Sequence, residues 1–185
     1  MTASTSSLPS PADVVSFWRE AGPARWFKKD AAFDRDFRER FLDAHEAAGR
    51  GELDAWQHNA EGSLALLVLL DQFPRNAFRG TARMFATDAQ ARAIADHALK
   101  KGFDAATEEA MRNFFYLPYM HSEDLADQDR AVTLCAALGK DADKFAHIHR
   151  DIIVKFGRFP HRNEVLGRQT SPAEQEFLAS GGFAG

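Results

Sequence analysis

The chain of 185 residues has a single cysteine, Cys135, and no long apolar run. One cysteine can form neither an intramolecular disulfide nor a cysteine-rich metal cage, so no oxidising compartment is required. The longest apolar stretch, Leu64 to Leu70, is far short of the roughly 20 residues that span a bilayer. It reads as a buried segment. Met1 to Pro11 carry no Lys or Arg and no apolar core of signal-peptide length, so export is not expected. Charge of neither sign dominates: 23 Lys and Arg face 27 Asp and Glu, for a formal net charge of −4, which argues against a nucleic-acid partner. There is no phosphate-cradling glycine loop, no Cys-x-x-Cys, no His-Glu-x-x-His and no Gly-x-Ser-x-Gly. Standard nucleotide, zinc-protease and serine-hydrolase chemistries are thereby set aside. A cytoplasmic protein follows, one domain over residues 1–185, with no membrane partner, no cofactor and no metal. The first nine or so residues are expected to be flexible.

What the chain does contain is helical patterning. Ser10-Pro11-Ala12-Asp13 offers a cap and a proline at the first helical position. Phe33, Phe37 and Phe41 recur four apart on one stripe. Thr87 with Gln90 and Ser171 with Glu174 have capping-box spacing, and Asp104, Ser122 and Asp141 precede further helical runs. Leu125, Val132 and Cys135 form one inward stripe, and Phe145, Ile148, Ile152 and Phe156 another. Pro74 is expected to end the helix that begins near Leu64. No strand pattern alternates with these elements, so the predicted fold class is all-α, with about eight helices packed as antiparallel neighbours by short connections. One internal echo stands out: Phe73-Pro74-Arg75-Asn76 and Phe159-Pro160-His161-Arg162-Asn163 both follow an apolar helix.

Three groups of residues carry chemical potential. Arg75, Arg79 and Arg83 sit at i, i+4 and i+8 in a segment without acids between Asp71 and Asp88. Arg158, Arg162 and Arg168 form a looser set. Planar guanidinium groups spaced in this way are suited to phosphate or carboxylate, and equally to tying loops to helix ends. His121, Asp124 and Gln128 share one side of a helix start, where they either line a cleft or satisfy one another. His149 falls on an apolar face, either as a core histidine with one hydrogen bond or as a catalytic or ligating one.

With these strings in view, the chain resembles a known family. Arg25-Trp26-Phe27, Leu70-Asp71-Gln72-Phe73-Pro74-Arg75-Asn76, Phe78-Arg79-Gly80-Thr81-Ala82-Arg83, Tyr116-Leu117-Pro118, His121-Ser122-Glu123-Asp124-Leu125-Ala126-Asp127-Gln128 and Gly157-Arg158-Phe159-Pro160-His161-Arg162-Asn163 are similar to a mostly bacterial family catalogued as domain of unknown function nine-two-four. The likeness runs from about Val14 to Leu178 and implies a tetratricopeptide-like arrangement of helix pairs. It brings no activity, substrate or cofactor. The functional expectation is therefore a binding protein for an anionic small molecule or acidic peptide. Its groove would contain Gln72, Arg75, Asn76, Arg79, Gln128, Arg158, His161, Arg162 and Asn163. The alternative is a hydrolase in which His121 works with Asp124 or His149 as acid and base. A third reading has every polar cluster satisfied internally.

Overall fold

The computed structural model describes residues 8–183. The expectation about the first nine residues falls almost wholly outside that range. Helix accounts for 72% of the structure and no strand occurs among the described residues, so the fold is all-α.

Local chemistry accounts for most helix boundaries. Helix α1 (Pro11–Ala21) opens with a complete capping box between Ser10 and Asp13 and buries Val14, Val15 and Trp18. Helix α2 (Pro23–Trp26) is a single turn whose Trp26 indole donates to the Trp18 carbonyl at 2.6 Å. Asp30 caps α3 (Ala31–Gly49) through the amides of Ala32 and Phe33. Phe33, Phe37 and Phe41 are buried along α3, and Phe37 meets Trp18 and Phe73 at ring separations of 5.3 and 5.0 Å.

The centre of the molecule is α4 (Ala60–Leu67), a π turn (Val68–Gln72) and α5 (Phe73–Ala77), continuous and buried from residue 62 to residue 74. At Gly62 an added Cβ would stand 2.1 Å from the Trp56 carbonyl oxygen, so only glycine allows this close approach. Pro74 does not end the helix, contrary to expectation. Proline lacks an N–H and leaves the carbonyl of Leu70 without its helical donor. That carbonyl accepts the Thr87 hydroxyl at 2.5 Å instead. Neighbouring carbonyls are satisfied in the same way, Leu69 by His45 Nδ1 at 2.9 Å and Asp71 by Arg75 at 2.7 Å. Side chains from elsewhere in the chain let the helix pass through its own proline.

Helix α6 (Asp88–Lys100) follows Thr87, but the capping box anticipated there is not made. Thr87 is spent on Leu70, and Gln90 donates to the Ala48 carbonyl at 2.8 Å. Then come α7 (Glu109–Arg112), α8 (Leu117–Met120) and α9 (Leu125–Cys135). Helix α7 starts beyond Asp104, which accepts the Tyr116 hydroxyl rather than capping. Asp124 caps α9 through Ala126 and Asp127 amides, and Ser122 accepts from the Asp124 amide. Helix α10 (Lys140–Phe156) starts at Gly139 with no side-chain cap, so Asp141 plays no such part. Its buried face is Ala146, His149, Ile152 and Ile153, with Phe145 half exposed; α9 buries Gln128, Ala131 and Cys135 and leaves Leu125 out. The small residues Ala131, Cys135 and Ala146 lie on the buried faces of α9 and α10, which pack against each other. Gly157, at φ +68°, ends α10, and a short turn (Pro160–Arg162) leads to α11 (Pro172–Ala179), opened by the Ser171–Glu174 capping box.

Candidate functional site

The site grows from Asp71. A carboxylate directly after seven apolar residues, 1% exposed, cannot remain ionised without partners. It has three. His121 Nδ1 donates to its Oδ1 at 2.8 Å, Gln72 donates to Oδ2 at 2.6 Å, and an Arg75 Nη1 lies 3.3 Å from Oδ1. Burial by itself would raise the Asp71 carboxyl, but the His121 ring and the Arg75 guanidinium outweigh it and hold it below the ordinary range. Burial, reinforced by Arg75, lowers the His121 imidazole against the pull of Asp71. His121 is then neutral near pH 7, with its proton on Nδ1 and a lone pair on Nε2.

The loop that presents His121 is clamped. Gln128, fully buried, donates to the carbonyls of Met120 at 2.7 Å and Ser122 at 2.6 Å, one residue on each side of His121. Next along the chain, Glu123 takes a bidentate pair from Arg168 at 2.7 and 3.0 Å and accepts the Phe159 amide at 2.8 Å. This bracket ties the second Phe-Pro segment to the His121 loop.

Both Phe-Pro segments consequently converge on Asp88 and Phe85. Arg75 makes a bidentate pair with Asp88 at 2.8 and 3.0 Å, and Arg162 approaches the same carboxylate at 3.7 Å. Arg162 also donates to the His121 carbonyl at 2.9 Å and lies between two rings, 4.4 Å from Phe85 and 4.5 Å from Phe159. Burial, reinforced by Arg75, lowers the Arg162 guanidinium to about 10, which leaves it charged. Its Nε is buried without a partner, as is Nδ1 of His161. Burial, reinforced by Arg162, pushes His161 down to about 4. His149 donates from Nδ1 to the Phe145 carbonyl at 2.8 Å, and its ring centre is 6.4 Å from that of His121. Burial, with His121 and Arg162 adding to it, pushes His149 down to about 3.

The structure therefore brings Gln72, Arg75, His121, Gln128, His149, His161 and Arg162 into one neighbourhood. Other residues anticipated for it are committed elsewhere. Asn76 and Arg79 both bind Asp34 at the start of α3, at 2.7 and 2.6 Å. Arg158 makes a bidentate pair with Glu174 at 2.6 and 2.8 Å. Asn163 donates to the Thr170 hydroxyl at 3.4 Å, with its Oδ1 buried and unpartnered. Asp124 spends its carboxylate on capping α9, and the carboxylate bound to His121 is Asp71. Of the two open hollows described on the surface, one lies between Leu8, Phe17 and Phe41 and the other between Phe156, Arg158 and Glu174; neither is bordered by His121. Among the described residues no group of three His, Cys, Asp or Glu is arranged to hold a metal ion, and no helix is long and apolar enough to cross a membrane.

Asp71, Phe85, Asp88, Glu123 and Phe159 are participants the candidate set omits. Asp71 had a signal: an acid at the end of an uninterrupted apolar run must be paired when the run is buried.

A family model described as "Bacterial protein of unknown function (DUF924)" matches residues 14–182. A solved structure, that of a protein of unknown function, ATU0120, from Agrobacterium tumefaciens, is 56% identical to this chain. The alignment covers 92% of this chain and 97% of that one, with a TM-score of 0.91. No curated protein matches. With the match spanning nearly the whole length and a relative of that identity sharing the fold, the chain belongs to the bacterial DUF924 family.

Proposed function

We propose that the protein binds a small anionic molecule, a phosphate or carboxylate, at the face formed by Arg162, His161 and His121. The observation that carries this reading is the incomplete pairing of Arg162. It is a buried cation whose nearest carboxylate is 3.7 Å away and already held by Arg75, and its Nε has no partner. A buried donor left unpaired costs roughly 1–3 kcal/mol, more when charged. An anion would supply the missing acceptor. His161, with an unpartnered buried Nδ1, is the second donor in its Nδ1–H tautomer. The lone cysteine, Cys135, is buried and its thiol is pushed up to about 12 by burial, in keeping with a cytoplasmic placement. The tetratricopeptide-like resemblance favours a paired-helix frame around the site without bearing on the ligand.

Inorganic phosphate is the simplest probe. At a hundred times its dissociation constant a ligand stabilises by about 2.7 kcal/mol. For a chain of this size that raises Tm by roughly 5–10 °C. Arg162→Gln abolishes the rise while the variant keeps its helical circular dichroism. No shift in the wild type, or an equal shift in the variant, overturns the proposal.

A second reading has one specific observation in its favour. The bond from His121 Nδ1 to the buried Asp71 carboxylate fixes the ring and its tautomer, the arrangement a general base needs. In that reading Asp71 orients His121 and the anion held by Arg162 is a substrate. Turnover of a phosphate ester that is lost in His121→Gln while phosphate binding persists would distinguish it.

A further inference from the structure

Beyond α11 the chain doubles back through two glycines. Gly181 has φ +81°, in the left-handed region. At Gly182 an added Cβ would stand 2.5 Å from the Phe177 carbonyl oxygen and 2.6 Å from its ring, so the chain passes there only because the residue is glycine. The Gly182 amide donates to that same carbonyl at 3.0 Å. Phe177 is itself seated on Phe156 of α10, with ring centres 5.1 Å apart.

The turn delivers Phe183 onto the imidazoles. Its ring centre is 4.5 Å from that of His149 and 5.5 Å from that of His161, edge-on to both. Phe159 lies beneath, 5.7 Å from His149 and 5.6 Å from His161. Two histidines that burial keeps uncharged are thus roofed by one aromatic side chain. The groups below the roof are held by other means: Arg75 on Asp88, Arg168 on Glu123 and Gln128 on the His121 loop. The roof rests only on its edge-on ring contacts and on one backbone hydrogen bond.

We propose that Gly181–Phe183 is a removable cover over the His149 and His161 face of the site. The chain swings at the two glycines and Phe183 leaves the imidazoles to admit the ligand. The family match ends at residue 182, one residue before the covering ring. The ligand's passage rests on the anion-binding reading above; the shielding of the two histidines does not.

Histidine acylation by diethyl pyrocarbonate, mapped residue by residue by mass spectrometry, tests the shielding directly. The exposed His58 is the internal reference. In Phe183→Ala, His149 and His161 react about tenfold faster than in the wild type, the change expected from losing roughly 1.4 kcal/mol of ring contact. His58 is unchanged. Phe183→Tyr keeps the wild-type rates. Gly182→Ala, which displaces the ring without removing it, accelerates both histidines as Phe183→Ala does. Inorganic phosphate also binds Phe183→Ala more tightly than it binds the wild type. Equal acylation in Phe183→Ala and wild type overturns the cover, as does a phosphate affinity that the substitution leaves unchanged. Faster acylation with no phosphate binding to either protein upholds the cover and removes the anionic ligand instead.

Discussion

The two Phe-Pro segments have nearly the same string and opposite fates. Phe73-Pro74-Arg75-Asn76 sits inside a helix that runs through its proline, and each of its polar side chains is paired. Phe159-Pro160-His161-Arg162-Asn163 is a short turn after the left-handed Gly157, and His161, Arg162 and Asn163 each keep a buried polar atom without a partner. Both send an arginine to the same aspartate and the same phenylalanine ring. Arg75 takes Asp88 in bidentate fashion while Arg162 stands off at 3.7 Å. The first segment is scaffold. In the second, Arg162 Nε, His161 Nδ1 and Asn163 Oδ1 stay unpaired beside a frame the first keeps rigid, and the proposed ligand would gain most there.

That contrast can be broken most sharply at the arginines. Arg75→Ala strips Asp71 and Asp88 of their shared cation, and breaking such a buried pair costs about 3–5 kcal/mol. Arg162→Ala loses one charged bond to the His121 carbonyl and a ring sandwich, about 2 kcal/mol. Urea unfolding of the two variants measures the difference, and equal losses would erase the distinction between scaffold and open site.

A second test uses pH. His45, His121, His149 and His161 are all lowered by burial, so the folded chain keeps them neutral where the unfolded chain, with ordinary imidazoles near 6.5, takes up protons. The unfolded state binds more protons below that value, so stability falls as pH drops from about 6.5 toward about 4, where folded His161 itself begins to protonate. Asp71 acts in the same direction at lower pH: its folded value is also depressed, so its contribution is lost only as pH falls below the ordinary carboxyl range. Between pH 6.5 and 4.5 the slope is therefore dominated by histidine. His149→Gln lowers it by up to one proton, about 1.4 kcal/mol per pH unit, in urea titrations at several pH values. A wild-type curve flat across that window would place these imidazoles in water.

Smaller effects sharpen the first segment. Thr87→Val removes the donor that satisfies the Leu70 carbonyl beside Pro74, at a cost of about 1.5 kcal/mol with the phosphate response intact. Asp124→Ala removes the cap of α9 for about 1 kcal/mol. It also leaves phosphate binding unchanged, because the carboxylate on His121 is Asp71; a lost response would restore Asp124 to the site. Both are read by thermal melts with and without phosphate.

Much of the frame was legible in the residues themselves. The Ser10 cap, the Ser171 capping box and the Phe33-Phe37-Phe41 stripe are where spacing puts them. Each depends on atoms within about one helical turn, so the sequence order carries the whole interaction. Where a side chain had two partners to choose between, spacing misled. Thr87 and Gln90 left their own helix end for Leu70 and Ala48, and Pro74 was carried because Thr87 arrived. The site itself is of this second kind. His121 meets Asp71 across 50 residues, and Arg162 meets the His121 carbonyl across 41.

By itself, then, the order of residues determined where helices begin, which faces are apolar and that the chain is all-α. Tertiary structure alone decided which carboxylate each cation would take and which donors would be left over. A charged side chain has several chemically equal partners along the chain, and only the packing of the π turn, α5, α6 and α8 sets which of them lies within 3 Å.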